Sequence, residues 1–348
     1  MATPRDVLVM DVIGLQVGNL DRYRELVPQL AGFTHQAALV PVYAGSTPAR
    51  QASIATGLLP QQHGLLFGGQ DATMRGQPFW VRAARARAGL KSAFFGNCPQ
   101  LARASDVHMR SERDRLYTVP EHTDAFFQRG MPGGNIGEDF ERMFAHFAAR
   151  AMAGGCNFVW VENPRLAIAG AVSEAADKQA RRDVADKFDQ FLATLFDAAG
   201  DRAVVLVSST ARRRCEHGAP EPQLDGVAVH SDGRLFHATC GPEQAQAVAD
   251  RLRREPCFGR VLQGPQRAEL GVDCPEAGTV VAEIRPGWGF TSEFTRSPSE
   301  SVGPDADPAQ FPVVLARNLN PGKTSLGMCE LAWLLQDVLT GTEYHDEA

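Results

Sequence analysis

Short apolar runs alternate with amphipathic stretches through the first two-thirds of the chain. That alternation predicts a parallel sheet covered by helices on both faces. Val7–Met10 reads as the first strand and Ala38–Val42 as the second. Lys91–Phe95 follows a helix-like stretch, Pro78–Ala88, and Phe158–Val161 comes next. Ala203–Ser208 then follows a long amphipathic segment, Glu174–Ala199. Within that segment Val184, Phe188, Phe191, Leu192 and Leu195 recur at helical spacing and mark a packing face. From about Gly218 the rhythm changes. Val227–His230 and Leu235–Thr239 predict a hairpin around Ser231-Asp232-Gly233, Glu243–Arg254 a helix and Thr279–Ile284 another strand. Residues 218–300 therefore read as a small α+β insertion within one α/β domain spanning 1–348. Phe311–Leu315 returns as a core strand and Ser325–Thr340 as a closing helix, while the Pro/Gly-rich stretches 98–135 and 296–310 read as surface loops. No internal repeat or low-complexity segment interrupts this order.

Composition narrows the function classes. With 348 residues, 44% apolar and 22% charged, the chain can bury a full core. A net charge of −6 with no long Lys/Arg cluster argues against binding a nucleic-acid polymer through a basic field. The opening MATPRDVLVMDVIGL reads as a buried strand rather than a signal peptide, and no apolar run is long enough for a bilayer, so no membrane partner is expected. Seven scattered cysteines without a CxxC pair read as reduced thiols in a cytoplasmic protein.

The most informative segment is 39–65, LVPVYAGSTPARQASIATGLLPQQHGL. A hydrophobic strand enters a small polar turn, Gly45-Ser46-Thr47-Pro48, and leaves as a helix-like stretch that ends in Gln61-Gln62-His63-Gly64. A hydroxyl where a strand feeds a helix meets the free N–H groups and positive end of that helix, a good place to attack or hold an anionic ester. The segment resembles the nucleophile region of the nucleotide pyrophosphatase/phosphodiesterase branch of the alkaline phosphatase superfamily. Thr56-Gly57-Leu58-Leu59-Pro60-Gln61-Gln62-His63-Gly64 matches that branch's "TG-L-x-P-x-x-HG" tail, and the threonine nine residues upstream, Thr47, stands at its nucleophile position. The resemblance implies an alkaline-phosphatase-like α/β fold, a mostly parallel sheet flanked by helices. It also places Asp11, at the end of the first strand, at a metal-binding aspartate. Weaker likenesses cover most of the remaining chain, including Trp80 to Phe95, FVWVENP at 158–164, DRAVVLVS at 201–208 and the 225–290 block.

The departures from that pattern bear on function. Two-metal phosphoryl transfer needs clustered carboxylates and imidazoles holding cations about 3.5–4 Å apart. After FVWVENP the family implies Asp and then His, where this chain has Arg165 and Ala169. After VVLVS it implies Asp-His-Gly, where Ser209-Thr210-Ala211 stands. Near the C-terminus Ser299-Glu300-Ser301-Val302-Gly303 replaces a His-Gly, and Leu65 to Gly69 replaces the phosphate-holding Asn. Only Asp11 and Thr47 of the implied cluster remain. Losing residues that bind the metal directly costs more than the 10–100-fold loss in affinity typical of changing the residues that hold those ligands in place. Arg165 puts a permanent cation where an anionic ligand would stand, able to pair with Asp11 or to clamp an oxyanion.

Blander roles stand beside the sharp ones. Thr47 is either an anion contact or a helix N-cap. His63 reads as part of a structural His-Gly turn, and Trp160 and Trp288 as packing. Arg212-Arg213-Arg214 is either a solvated loop or extra positive charge on the rim, with Arg212 and Arg213 as anion-binding candidates. Cys215, Glu216 and His217 carry zinc-ligand chemistry, although three adjacent residues do not easily face one ion. Pro321-Gly322-Lys323-Thr324 lacks the upstream glycine of a phosphate loop.

The leading expectation is a phosphodiesterase-type protein with a decayed two-metal site: a pseudoenzyme without a cofactor that binds a phosphate- or nucleotide-like anion or a protein partner, with homo-oligomerisation open. The alternative is an active phosphoester or phosphodiester hydrolase with Thr47 as nucleophile. It would use a non-standard zinc site at Asp11 or Arg165 in place of a metal.

Overall fold

The structure is a computed structural model that describes residues 3–67, 73–96, 98–112, 115–118, 136–163, 178–291 and 299–342. The first seven strands are β1 (Val7–Val12), β2 (His35–Val40), β3 (Ser92–Phe95), β4 (Val107–Glu112), β5 (Arg115–Thr118), β6 (Phe158–Asn163) and β7 (Ala203–Val207). Two short strands follow, β8 (Arg212–Arg214) and β9 (His217–Pro220), and then, in the segment expected as an insertion, β10 (Ala228–Ser231), β11 (Leu235–Thr239), β12 (Phe258–Gln263) and β13 (Val280–Ile284). The chain closes through β14 (Trp288–Thr291), β15 (Ser299–Ser301), β16 (Val313–Arg317) and β17 (Ser325–Gly327).

Among the described residues nine strands form the main sheet, ordered β17-β2-β16-β7-β1-β6-β3-β4-β5. It is mostly parallel, with β16 antiparallel to both neighbours and β5 antiparallel to β4. β1 lies at its centre between β6 and β7, and every residue of VLVMDV is buried. Period-two alternation sorts its side chains onto two cores. Val7 and Val9 join Phe158, Trp160, Val205 and the helices Thr47–Thr56, Phe79–Ala86 and Met328–Thr340 on one face. Leu8, Met10 and Val12 join Val159, Val161, Leu206 and the helices Ile136–Ala153 and Lys178–Ala199 on the other. This double burial is why β1, β6 and β7 read as continuous apolar runs rather than alternating ones.

The insertion has its own antiparallel sheet, β10-β11-β13-β12, with the helix Ala245–Arg253 packed on one face through Val248, Ala249 and Leu252. On the other face Leu235, Leu262 and Val281 pack with Leu66 and with partly buried Tyr43 and Phe67, which flank the Thr47 turn and helix in sequence.

Several boundaries differ from expectation. β2 runs from His35 and stops at Val40, because Pro41 cannot donate to the ladder. Residues 98–135 were expected as a loop but hold a short helix, Pro99–Arg103, and strands β4 and β5. The 296–310 loop contains β15, which pairs with β8. Strand β12 was missed because Gly259 and a register shift between Phe258 and Val261 break its alternation. The closing helix begins at Met328, after the edge strand β17.

Candidate functional site

The same alternation that builds the core also builds the site. Continuing along β1, Asp11 falls on the face of Val7 and Val9, the face that carries the Thr47–Thr56 helix. Asp11 stands opposite Glu162 across the β1–β6 ladder, and Ser209 extends the odd-numbered face of β7 just past its end. All three are buried. Asp11 is therefore enclosed by groups at the carboxyl edge of the sheet, where open α/β folds place their ligands.

Its contacts are specific. Gln51 Nε2 donates to Asp11 Oδ2 at 2.7 Å and the Ser209 backbone N–H donates to Oδ1 at 3.0 Å. Burial, reinforced by the nearby charge of Glu162, pushes the Asp11 carboxyl up to about 7, against the pull of those donors. Gln51 lies one helical turn from Thr47, so the helix presents both to this edge.

Thr47 opens the helix but does not cap it. That role falls to Ser46, whose Oγ accepts from Ala49 N at 3.2 Å and donates to the Leu66 carbonyl at 2.6 Å. The Thr47 hydroxyl lies instead 3.1 Å from the Thr210 hydroxyl, at the end of β7. The N-cap reading of Thr47 is thus replaced by a hydroxyl pair half-open at the edge of the sheet.

The turn itself is gripped from several sides. Arg50, wholly buried, donates through Nε to the Ala44 carbonyl at 2.8 Å and through Nη2 to the Val302 carbonyl at 2.5 Å. Burial pulls its guanidinium down to about 9. From the insertion hairpin, Asp232 Oδ2 accepts from Gly45 N at 2.8 Å, and Ser301 Oγ donates to the Gly45 carbonyl at 2.9 Å. His63 is buried, with Nε2 at 3.0 Å from Ser53 Oγ and Nδ1 accepting from Leu65 N at 3.1 Å. It braces the His-Gly turn.

The remaining candidates are dispersed. Arg165 lies outside the described residues, so its pairing with Asp11 does too. Arg212 is exposed on β8, two positions past Thr210, where its carbonyl accepts from Gln16 Nε2. Arg213 pairs through its backbone with Glu300 in β15. Cys215 is buried while Glu216 and His217 are exposed, and the His217 ring lies 4.9 Å from Trp288. Among the described residues no group of three or more His, Cys, Asp and Glu is placed to hold a metal ion. The triad at 215–217 is not such a group. At the site, Asp11 and Glu162 are joined by Ser209 and Thr210 hydroxyls, neutral donors that do not offset a second divalent charge, so the residues described here do not fit a two-metal centre.

Gln51, Thr210, Asp232 and Ser301 were not foreseen as site residues. Gln51 could have been found from its one-turn spacing from Thr47. Nothing local to Asp232 or Ser301 signals their reach to Gly45.

No protein-family model matches this chain, and no curated protein matches it. Solved structures do. Murine ectonucleotide pyrophosphatase/phosphodiesterase 5 superposes with a TM-score of 0.67 at 14% identity, covering 96% of this chain and 95% of that one. The human protein gives the same values. Phosphonoacetate hydrolase from Sinorhizobium meliloti 1021, in complex with phosphonoformate, superposes with a TM-score of 0.68 at 14% identity, covering 97% of this chain and 96% of that one. The chain thus has the alkaline-phosphatase-like α/β fold of these proteins, along nearly their whole length. Among the described residues no helix is long and apolar enough to cross a membrane.

Proposed function

We propose that this chain is a phosphodiesterase-type protein that has lost its dinuclear centre and binds a phosphate- or nucleotide-like anion at the Thr47 turn. The observation that carries this reading is the environment of Asp11. The carboxylate accepts from Gln51 and the Ser209 N–H, and its neighbours at the ends of β6 and β7 are Glu162 and the hydroxyls of Ser209 and Thr210. The hydroxyls of Thr47 and Thr210, at the positive end of the helix, supply donors to an oxyanion. Arg212, two positions past Thr210, adds a cation that steers an anion inward, and Arg165, outside the described residues, is the second cation the sequence offers. Murine ectonucleotide pyrophosphatase/phosphodiesterase 5 has been solved in an inactive form with AMP, which motivates nucleotide monophosphates as ligands to try.

One observation favours a second reading. The Thr47 hydroxyl is not consumed by capping, so it is free to act as a nucleophile toward a phosphoester. Deprotonating it would require a base or a metal, and the described residues do not assemble a two-metal centre.

Protein purified without chelator, assayed for zinc and for thermal stabilisation by inorganic phosphate and AMP, separates the readings. Substoichiometric zinc and a phosphate-dependent rise in Tm that Thr47→Ala and Arg165→Ala abolish are expected. Two equivalents of zinc, or turnover of a p-nitrophenyl phosphodiester abolished by Thr47→Ala, would replace this reading with the hydrolase. Stabilisation by neither anion would turn the proposal toward a protein partner.

A further inference from the structure

The contacts around Gly45 join two parts of the chain that lie far apart in sequence. Asp232 belongs to the hairpin turn of the insertion, yet its carboxylate is buried against a turn 187 residues earlier. Its two oxygens have separate duties. Oδ1 accepts from the backbone N–H groups of Arg234 at 2.8 Å and Leu235 at 2.6 Å, closing the local hairpin. Oδ2 faces outward and accepts from Gly45 N at 2.8 Å. His237 Nε2 lies 3.7 Å from the same oxygen. Burial alone would raise this carboxyl, but the His237 ring close by and the N–H groups of Leu235 and Gly45 hold it below the usual range, so it is ionised at neutral pH.

We propose that Asp232 is the positioning residue of the Thr47 turn, supplied by the insertion to fix the Ala44–Gly45 peptide that leads into the hydroxyl-bearing residue. The proposal deepens the anion-binding reading and rests on it. Gly45 is two residues from Thr47, and a bond to its N–H fixes the Ala44–Gly45 peptide plane, from which the chain runs through Ser46 into Thr47. The contact is close. A Cβ at Gly45 would come within 2.7 Å of the Asp232 carbonyl oxygen and 2.9 Å of the Arg234 Cβ, so the glycine lets the two turns meet. On the opposite side Ser301 donates to the Gly45 carbonyl, and Arg50 holds the Ala44 carbonyl. The peptide groups around Gly45 are thereby fixed from three directions, and the insertion side contributes the charged acceptor. Charged acceptors make hydrogen bonds roughly twice as strong as neutral ones.

Asp232→Asn separates the two duties. An amide oxygen still accepts from Arg234 and Leu235, while the NH₂ group meets the Gly45 N–H donor to donor. The full-length ¹⁵N-labelled chain gives two readouts, the Gly45 amide resonance and the affinity for inorganic phosphate. In Asp232→Asn the Gly45 amide should move upfield with the Arg234 and Leu235 amides little changed, and phosphate affinity should fall about tenfold or more. Arg75→Ala, which removes an insertion contact on the partly exposed Arg75–Glu276 pair, should leave both readouts at wild-type values. An unchanged Gly45 amide and unchanged phosphate affinity in Asp232→Asn would overturn the proposal, as would an equal loss in Arg75→Ala. If the wild-type chain binds no phosphate, the anion-binding reading fails, while the Gly45 resonance still decides whether Asp232 holds the turn. If Asp232→Asn does not fold, Gly45→Ala tests the same contact from the other side. It should reproduce the phosphate loss, and wild-type affinity there would overturn the proposal.

Discussion

Ser46 and Thr47 are adjacent hydroxyl residues that begin the same helix, and their environments assign them different work. Ser46 makes two hydrogen bonds that tie the helix start to residue 49 and to the Leu66 carbonyl. Ser46→Ala should therefore destabilise the protein by about 1–2 kcal/mol in urea denaturation. Thr47→Ala removes a single half-exposed hydroxyl contact and should cost under about 1 kcal/mol while abolishing stabilisation by phosphate. Equal stability losses from the two substitutions would show that Thr47 is structural after all. Asp11 and His63 make a second residue-level case, because burial moves them in opposite directions. The Asp11 carboxyl rises from 3.8 to about 7, so its contribution is fully present below pH 4 and is lost as pH rises through 7. The His63 imidazole falls from 6.5 to about 3, chiefly through burial, so its contribution is present above pH 6.5 and is lost on acidification. Between pH 4 and 6.5 the two offset each other. Asp11→Asn removes one side of that balance. Relative to wild type it should lose stability on going from pH 7 to pH 4, by up to about 1.4 kcal/mol per pH unit. Parallel pH profiles for the two proteins would contradict the burial of an ionisable Asp11.

Elements were legible where one physical signal dominated. β1, β6 and β7 are apolar runs because helices cover both sheet faces, and Leu235–Thr239 was read to its exact bounds because a good turn precedes it. The helix Phe79–Ala86 was also readable from its pattern. Trp80, stacked on Phe158 at 4.7 Å and bonded through Nε1 to the Ala104 carbonyl, anchors it. Trp80→Ala should cost about 3–5 kcal/mol by chemical denaturation, and a loss below about 1 kcal/mol would mean the helix is not held by this contact. Short edge strands were not legible. β8, β9, β14, β15 and β17 are three or four residues long, too brief for periodicity to register, and each exists because a distant partner lies beside it. The candidate site divides the same way. Asp11 and Thr47 were candidates because the family resemblance rests on local features, a strand end and a strand-to-helix turn. Thr210, Asp232 and Ser301 were not, since their roles depend on tertiary approach to Thr47 and Gly45.

At the scale of the whole molecule, the insertion is joined to the main sheet by more than its chain connections. Its sheet shares an apolar cluster with Leu66, Tyr43 and Phe67, and Asp232 bonds to Gly45. A third attachment lies at the His-Gly turn, where Gln61 N donates to the Gly271 carbonyl at 3.0 Å and Asp273 N donates to Gln61 Oε1 at 3.2 Å. Arg75 bridges the Gln61 and Gln62 carbonyls to Glu276. A lobe attached only by linkers would open independently of the sheet, whereas one attached through a shared buried cluster should unfold with it. Hydrogen exchange at increasing urea should therefore give converging opening free energies for the amides of β1 and β7 and those of β11 and β13. Asp232→Asn should lower the insertion amides before the sheet amides, since it weakens the attachment and leaves both cores intact. Insertion amides that already open at markedly lower urea in the wild-type chain would show a separately folding lobe. Such a lobe could not hold the Thr47 turn in a fixed geometry.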